Sequence, residues 1–495
     1  MITERRANLA LRLALAAIVL AVFSHTRADP DLWGHVRFGG DMVSARTVHV
    51  ADRYSFTSDR PWINHEWLAE IVIYGAYRAA GGTGLILLKI ALLAMMAAAL
   101  LRTIRGIARS PTDGALLLGL AVVATVPQAN HVRPQLFSLA LIAWLHAILH
   151  AAGQGRVALL WLAVPMMALW ANLHGGWIVG LGVLGLWAAA NVVTKGRASS
   201  GVVLLATGAA IVATLVNPYG WKLWAFLRET VGVGRADITE WQPIIHAGYP
   251  IIILWLVVAA AAVVACMSAR RTKSVDLRAW AVVAALAVLS FRVNRLLAFF
   301  GLAVVMLAGR PLADAASRLT AARRPRVAPR VALAGAFIIA VLLLAGSVTA
   351  SIVNARCVRM DLPIYPDASV TAAASARAIR GRMLTWFDWG EYAIWHFSPG
   401  VLVSVDGRRE TVYSDEIVQQ HLRFYFLPEE RSALVSALRP DFVFLPRHLA
   451  VADRLQADGW IPLAAGPASV LLARGNVTPA AADWEPAAAR CFPGP

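Results

Sequence analysis

The hydrophobic residues of this 495-residue chain fall into eleven long runs separated by short polar segments. A helix that crosses the apolar core of a bilayer needs about 20 residues. Several runs are shorter, so they need a thinned bilayer or shelter within a helix bundle. The pattern predicts an α-helical polytopic membrane protein with about 11 to 13 spans. The runs cover residues 8–23, 83–104, 114–129, 134–151, 157–171, 176–193, 200–216, 250–268, 277–291, 294–309 and 330–350.

The first run is preceded by Arg5 and Arg6 and is followed by Ala28. A signal peptide cleaved after Ala28 is one interpretation of this pattern. The length of the run and the cation Arg27 beside that position favour a helix that is retained.

A further stretch, residues 65–80, is only partly apolar and carries Glu66 and Glu70 on one helical face. Because carboxylates in lipid are costly, we interpret it as an interfacial or re-entrant helix that does not cross. Eleven crossings then place every cationic cluster on the side of the N-terminus. The positive-inside rule makes that side cytoplasmic and puts the C-terminus outside. The clusters are Arg102, Arg105 and Arg109, then Arg156, Lys195 and Arg197, then Arg270, Arg271 and Lys273, and the arginines between 310 and 330.

The composition changes after about residue 351. Short apolar strands at 384–386, 401–405, 442–445 and 469–472 are separated by helical patterns at 415–427 and 429–438. We predict a membrane domain over residues 1–350, with a first outer loop at 26–64, and a small periplasmic α/β domain with a mostly parallel sheet over residues 351–495. Cys357 and Cys491 bracket this domain, and an oxidising compartment would permit a disulfide between them.

The composition supports a membrane protein and argues against a nucleic-acid-binding protein. Hydrophobic residues make up 59% of the chain and charged residues 15%, with a mean hydropathy of +0.61; average soluble domains are about 25% charged. The net charge of +17 comes mostly from the clusters between apolar runs. Since no basic stripe is interleaved with aromatic residues, nucleic acid is not an expected partner.

The first candidate site follows the first apolar run at once, in the sequence Asp29-Pro30-Asp31-Leu32-Trp33-Gly34-His35. Two carboxylates and an imidazole at a membrane rim are costly unless they are used. Asp29 and Asp31 are our catalytic candidates, either as a general base or as ligands of a divalent metal such as Mg²⁺ or Mn²⁺. The alternative is that they cap a helix.

Other polar groups are predicted on the same outer face. His35, His65 and Glu66 could bind substrate or transfer protons, although single histidines at an interface are usually ordinary surface residues. Asn172 and His174 precede two glycines that would let a ligand approach the backbone closely. The same glycines would also suit helix packing.

Three arginines, Arg133, Arg292 and Arg295, break the charge bias on the outer face. A guanidinium binds phosphate with two parallel hydrogen bonds, so these side chains are candidates for a phosphate or pyrophosphate leaving group. Contact with lipid headgroups is the alternative. The motifs 386–392 and 405–410 of the C-terminal domain could contact an acceptor or fold back on the membrane cavity.

Together these motifs resemble the polytopic GT-C glycosyltransferases, near the bacterial protein mannosyltransferases and aminoarabinose transferases. The resemblance covers nearly the whole chain and rests on residues 29–33, 65–68, 133–135, 172–176, 217–220 and 406–408.

The resemblance implies a bacterial inner-membrane enzyme that moves a sugar from a polyprenyl-phosphate donor to a lipid, glycan or protein acceptor at the periplasmic face. Asp29 or Asp31 would be its base or metal ligand, and membrane lipids would be further partners. Two other hypotheses remain at this point. One is a transporter or flippase for a lipid-linked substrate, and the other is a non-catalytic envelope assembly protein.

Overall fold

The computed structural model describes residues 2–230, 238–322, 330–360, 364–475 and 491–495. For residues 2–7, 319–322 and 330–333 it describes the backbone only. The cationic cluster expected between 310 and 330 therefore lies partly outside the described residues.

Fourteen α-helices lie in the described residues of the first three quarters of the chain, and each of the eleven predicted apolar runs coincides with one of them. The helices are α1 Ile2–Ser24, α2 Leu32–Ala45, α3 Trp67–Ile107, α4 Pro111–Ala129, α5 Gln135–Gly153, α6 Ala163–Leu173, α7 Trp177–Lys195, α8 Gly201–Ala213, α9 Trp221–Thr230, α10 Tyr249–Arg271, α11 Leu277–Arg292, α12 Leu297–Leu307, α13 Gly309–Ala322 and α14 Arg330–Asn354.

The predicted fold class, a polytopic helical membrane protein with a small α/β domain, is confirmed. Among the described residues, six helices are long and apolar enough to cross a membrane, or seven if the bent pair of α12 and α13 counts as one span. Three shorter apolar helices lie at Asn8–Ser24, Val157–Leu173 and Ala198–Ala213. The length criterion thus counts fewer spans than the eleven runs, because several runs are short.

Helix α3 explains the ambiguous stretch at 65–80. Its 41 residues would measure about 60 Å as one straight helix, twice the apolar thickness of a bilayer. The backbone leaves helical geometry at Ala80 and Gly81, where Gly81 has a φ of 56°. The part before this break packs against α2, since Gly39 lies directly against the carbonyl group of Glu70.

Deeper in α3, the ammonium group of Lys89 is buried. It donates hydrogen bonds to the carbonyl oxygens of Phe23 and His25, at 2.9 and 2.5 Å. Because helix ends leave carbonyl groups without partners, Lys89 stabilises the end of α1 just before Asp29.

The C-terminal part of the chain is a five-stranded sheet with helices around it. The helices are α15 Ala368–Ala376, α16 Gly390–Phe397, α17 Asp415–Phe426, α18 Arg431–Leu438 and α19 Ala450–Ala457, and the strands are β1 Gly381–Thr385, β2 Val401–Val403, β3 Phe442–Pro446, β4 Ile461–Ala465 and β5 Ser469–Ala473.

The strand order is β2-β1-β3-β5-β4. Strand β1 pairs in parallel with β2 and β3, but β5 runs antiparallel to both β3 and β4. The expected mostly parallel sheet is therefore corrected to a mixed one. The sequence pattern missed β4, a strand interrupted by Pro462, which removes a backbone donor.

The sheet region is docked on the first loop rather than separate from it. Trp33 of α2 is fully buried among Tyr365, Tyr392 and Phe492, with ring centroids 5.0 to 5.2 Å apart. Its indole nitrogen donates to the carbonyl oxygen of Pro493 at 2.8 Å. A disulfide joins Cys357 to Cys491, so the bond that an oxidising compartment would permit is present.

Candidate active site

The acidic motif forms the turn into α2, and its two carboxylates have different environments. Oδ2 of Asp29 lies 3.0 Å from Nη2 of Arg133, and its Oδ1 accepts a hydrogen bond from the backbone nitrogen of Asp31 at 3.3 Å. Asp31 stands at the N-cap of α2, but its side chain makes no capping hydrogen bond. Helix capping therefore does not account for the carboxylate of Asp31.

These environments separate the two pKa values. Burial opposes ionisation of Asp29, but the positive charges of Arg133 and His131 outweigh it and lower the pKa of that carboxyl. Burial and the negative charge of Asp29 raise the pKa of Asp31 to about 7. At neutral pH, Asp29 is ionised, and Asp31 can either accept or release a proton.

A third carboxylate, Glu391 of α16, faces Asp31 from the C-terminal domain. A β-carbon on Gly34 would overlap the carboxylate of Glu391, and one on Gly407 would overlap that of Asp31 and lie 3.1 Å from Oε1 of Glu391. Both glycines thus make room for the two acids. Burial and the charge of Asp31 raise the pKa of Glu391 well above its ordinary value. Its Oε2 is buried without a hydrogen-bond partner among the described residues.

Arg408 holds this contact between domains together. Its guanidinium is buried and binds Asp406 at 2.7 Å and Asp52 of the first loop at 2.6 Å. Three aromatic rings of the first loop and α2 surround it with centroids 4.8 to 5.3 Å away, those of Phe38, Tyr54 and Trp62.

Two of the three predicted arginines lie beside the acids. Nη1 of Arg133 donates to both oxygens of Glu240, at 2.8 and 3.0 Å. Arg295 is held less closely, with Nε 3.9 Å from Oε2 of Glu240 and its guanidinium 5.5 Å from the ring centroid of Trp241. The loops after α4, α9 and α11 thus converge on Asp29.

His174 joins this group from the end of α6. Its Nδ1 accepts a hydrogen bond from the backbone nitrogen of Gly176 at 3.0 Å and lies 2.7 Å from Oγ of Ser138. The proton of the neutral ring therefore sits on Nε2, which is 3.6 Å from Glu66 and 3.3 Å from Arg295. Burial and the charge of Arg295 lower the pKa of His174 well below its ordinary value.

His65 and His35 each lie beside a carboxylate near the start of α3. Nε2 of His65 is 3.6 Å from Oε1 of Glu66. Nδ1 of His35 is 3.4 Å from Glu70, which also accepts a hydrogen bond from Asn64 at 2.6 Å. Burial opposes protonation of His35, but the hydrogen bond to Glu70 and the charge of Glu66 outweigh it and raise its pKa to about 9.

Two predicted residues have other surroundings. The amide of Asn172 is fully engaged: Oδ1 accepts from the indole of Trp67 at 2.9 Å, and Nδ2 donates to the carbonyl oxygens of Ala168 and Val216 at 2.7 Å. It joins helix ends behind the site. Arg292 ends α11 with an exposed side chain and forms none of the ion pairs of the cluster.

Two acids of the cluster, Glu70 and Glu240, were not named as site residues, and a third, Glu391, was predicted only as part of the motif 386–392. Each lies within an apolar or aromatic segment, which is a usable signal because a carboxylate in such a position is costly without a partner. The partners come from distant segments, so that signal could locate the acids but not group them.

The expected metal site does not fit Asp29 as it stands, so the two aspartates cannot serve as a pair of ligands in this arrangement. A guanidinium group already occupies the position beside Asp29 where a cation would bind. Within the described ranges, no three or more His, Cys, Asp and Glu side chains are grouped as metal ligands.

Neither a protein-family model nor a curated protein sequence matches this chain. Its fold, however, is similar to those of solved structures. The aminoarabinose transferase ArnT from Cupriavidus metallidurans in its apo state has a TM-score of 0.54 at 13% identity, covering 93% of this chain and 96% of that one. The same protein bound to undecaprenyl phosphate has a TM-score of 0.50 at 14% identity, and the match covers 94% of this chain and 97% of that one.

The oligosaccharyltransferase from Archaeoglobus fulgidus in its apo form has a TM-score of 0.55 at 9% identity, and the match covers 89% of this chain and 69% of that one. At these identities the likeness concerns the fold. The fold expected from the motifs is confirmed: this chain is similar in fold to the aminoarabinose transferase ArnT and to the archaeal oligosaccharyltransferase.

Proposed function

We propose that this protein is a membrane glycosyltransferase that moves a sugar from a polyprenyl-phosphate donor to a hydroxyl or amine acceptor. The observation that carries the proposal is the juxtaposition, at one end of the helical bundle, of the acids Asp31 and Glu391 with the cations Arg133 and Arg295. One similar structure, that of ArnT, contains undecaprenyl phosphate, which is the class of donor we assign.

Asp31 is the base in this mechanism. Its carboxylate takes the proton of the acceptor while the acceptor atom forms a bond to the anomeric carbon of the sugar. The bond from that carbon to the phosphate oxygen breaks, and its electron pair leaves on the lipid phosphate. A pKa of about 7 keeps a large share of Asp31 ionised at neutral pH.

Arg295 is the first anchor for the phosphate. Arg133 is already bound closely by Asp29 and Glu240, whereas Arg295 lies 3.9 Å from Glu240 and can turn toward an incoming anion. Cations placed where negative charge develops stabilise the transition state. Since Asp29 and Asp31 cannot serve as a pair of ligands for a divalent ion, no step of this mechanism uses one.

An apolar cavity of about 280 Å³ can hold the start of the prenyl chain. It lies between α1, α3, α4 and α14 and is lined by residues that include Phe23, Leu93 and Met96. It reaches Ser24, five residues before Asp29. A donor with its tail here would have its phosphate near the acids.

The test is a transfer assay with the purified protein in lipid nanodiscs. Undecaprenyl phosphate carrying a radiolabelled sugar is the donor, and crude envelope fractions supply acceptors. We expect label to move covalently to an acceptor, with release of lipid phosphate. Movement of intact donor between the leaflets of liposomes without any covalent change would contradict the proposal and support a flippase.

The pH dependence of this assay follows from Asp31. Because the base must be ionised, the transfer rate is expected to fall about tenfold per pH unit below 7 and to level off above it.

The stability of the folded state depends on pH in the opposite direction. Because the pKa of Asp31 is raised in the folded protein, the folded state loses stability as pH rises from about 4 to about 7. The unfolding temperature of Asp31→Asn, relative to that of the wild type, should therefore increase as pH rises through that window. A gain that is the same at all pH values would contradict this assignment.

We further propose that the site faces the periplasm across a bacterial inner membrane, with the N-terminus in the cytoplasm. Arginine and lysine residues end α3, α7 and α10 at the opposite end of the bundle. In a Cys266→Ser background, a cysteine at Val50, which is exposed in the first loop, should react in spheroplasts with a membrane-impermeant maleimide. One at Gln154, which is exposed at the other end, should react only after lysis. The reverse pattern would invert the topology.

A further inference from the structure

Besides the apolar cavity, a polar cavity of about 650 Å³ lies at the end of the bundle opposite the candidate active site. Helix α5 begins at Gln135, two residues after Arg133, and its last turn, with His150 and Gly153, lines this cavity. Nineteen helical residues measure about 28 Å, close to the apolar thickness of a bilayer. The cavity is therefore distinct from the site described above and belongs to the other membrane face.

The acids of this cavity are already paired. Asp276 accepts hydrogen bonds from Nε and Nη2 of Arg278 at 2.8 and 3.0 Å. Asp314 lies 3.0 Å from Nη2 of Arg109. Neither carboxylate is left to neutralise a further cation.

Two other arginines of the cavity have no such partner. Arg310 and Arg318 both line it, both are exposed, and neither forms an ion pair with any described residue. They stand on α13 at i and i+8, with Asp314 between them at i+4, so all three lie along one face of the helix. The cavity therefore presents two free guanidinium groups, which favour an anion.

The other walls are apolar. Trp280 and Leu307 line the cavity and are half-buried, whereas Trp187 is fully buried beneath the guanidinium of Arg278. Helix α13 bends by 68° from α12, and Leu312 and Ala313 on its other face are buried. A helix that leaves a span at this angle, with one apolar face and arginines on the other, is typical of the membrane surface.

We propose that this cavity binds the phosphate headgroup of a membrane lipid, with Arg310 and Arg318 on the phosphate and Trp280 against the first carbons of the chain. Cations above apolar walls match an amphiphilic anion. A soluble phosphate compound shares the headgroup chemistry but makes no use of those walls.

The experiment measures lipid binding by native mass spectrometry of the full-length, delipidated protein. It is titrated separately with phosphatidylglycerol, with undecaprenyl phosphate and with inorganic phosphate. The double variant Arg310→Gln/Arg318→Gln is compared with Arg102→Gln/Arg105→Gln. The second pair removes the same charge from exposed positions at the end of α3, which belongs to the same membrane face but does not line the cavity.

We expect one phosphatidylglycerol to bind in this cavity, with affinity reduced about tenfold in the cavity variant and less than about twofold in the control. Undecaprenyl phosphate, which the proposed active site also binds, should bind at two sites, and the cavity variant should weaken one of them. Equal losses in both variants would show general attraction to a basic surface and overturn the proposal. No loss in either would overturn it too. Displacement of the lipid by inorganic phosphate at equal concentration would identify a soluble phosphate compound as the occupant instead.

Discussion

Replacing Asp31 by asparagine is expected to reduce sugar transfer by about 10² to 10⁴, the usual contribution of a general base. The change keeps the shape of the side chain but removes the group that accepts the proton. Because Asp31 is partly exposed and makes no capping hydrogen bond, the fold should persist. The measurement is the single-turnover rate with the radiolabelled donor, alongside thermal unfolding of the same sample.

Glu391, whose carboxyl group lies beside Asp31, provides the comparison variant for Asp31→Asn. The pKa of Glu391 is raised well above its ordinary value, first by burial and then by Asp31. The raised pKa favours the neutral form of Glu391, and Glu391→Gln resembles that form. We expect this variant to keep transfer within a few-fold of the wild type, and the surface control Asp458→Asn to have no effect. Loss of transfer in Glu391→Gln with full activity in Asp31→Asn would exchange the two roles.

Asp29 has a different expected role. Its low pKa and its contact with Arg133 at 3.0 Å make it a partner that positions the arginine rather than a base. Asp29→Asn should therefore lower the rate without removing the fall below pH 7. If Asp29→Asn and Asp31→Asn together left transfer intact, neither acid would be catalytic and the enzymatic assignment would fail.

Arg408→Met is expected to lower the free energy of unfolding by about 3 to 5 kcal/mol. Removing one partner of a buried ion pair leaves the other charges buried without compensation. Here two carboxylates, those of Asp406 and Asp52, would lose their cation, and both are buried. The variant should also weaken the contact between the C-terminal domain and the first loop.

Thermal unfolding of detergent-solubilised protein measures this effect, with limited proteolysis to follow the docking. The matched control is Arg431→Met, which breaks an exposed ion pair with Asp458 in the same domain. Exposed pairs contribute little, so this variant should unfold like the wild type. Equal behaviour of the two variants would mean that Arg408 does not hold the domains together.

The membrane architecture could be predicted from the sequence because it depends on local properties. Each apolar run became a helix, since burial in lipid requires every backbone group to be bonded within its own segment. The break at Ala80 and Gly81 separates residues 65–80 from the apolar run that follows, and the interfacial interpretation of this stretch stays a prediction. The acid motif after α1 was visible for a similar reason, because carboxylates at a membrane rim are unusual.

The orientation of side chains at helix ends could not be predicted from the sequence pattern. Arg292 and Arg295 are three residues apart and equally cationic in sequence. In the structure, Arg292 is exposed at the end of α11, whereas the following turn directs Arg295 toward Glu240 and His174. The direction of the chain at a helix end depends on packing against other segments, so the pattern could not separate them. Strand β4 was missed, and β5 was predicted as a strand but not as an antiparallel one, because the direction of strand pairing also depends on packing between segments.

By itself, the sequence determined a many-helix membrane protein with acids and arginines at one end and a small α/β domain after it. Only the tertiary structure decided which charges meet. Arg408 reaches Asp52 across 356 positions of the chain, and Glu391 comes to face Asp31 only because two glycines leave room for their carboxylates. Apolar periodicity acts over a few turns of helix, whereas ion pairs between distant segments exist only once the domains are docked.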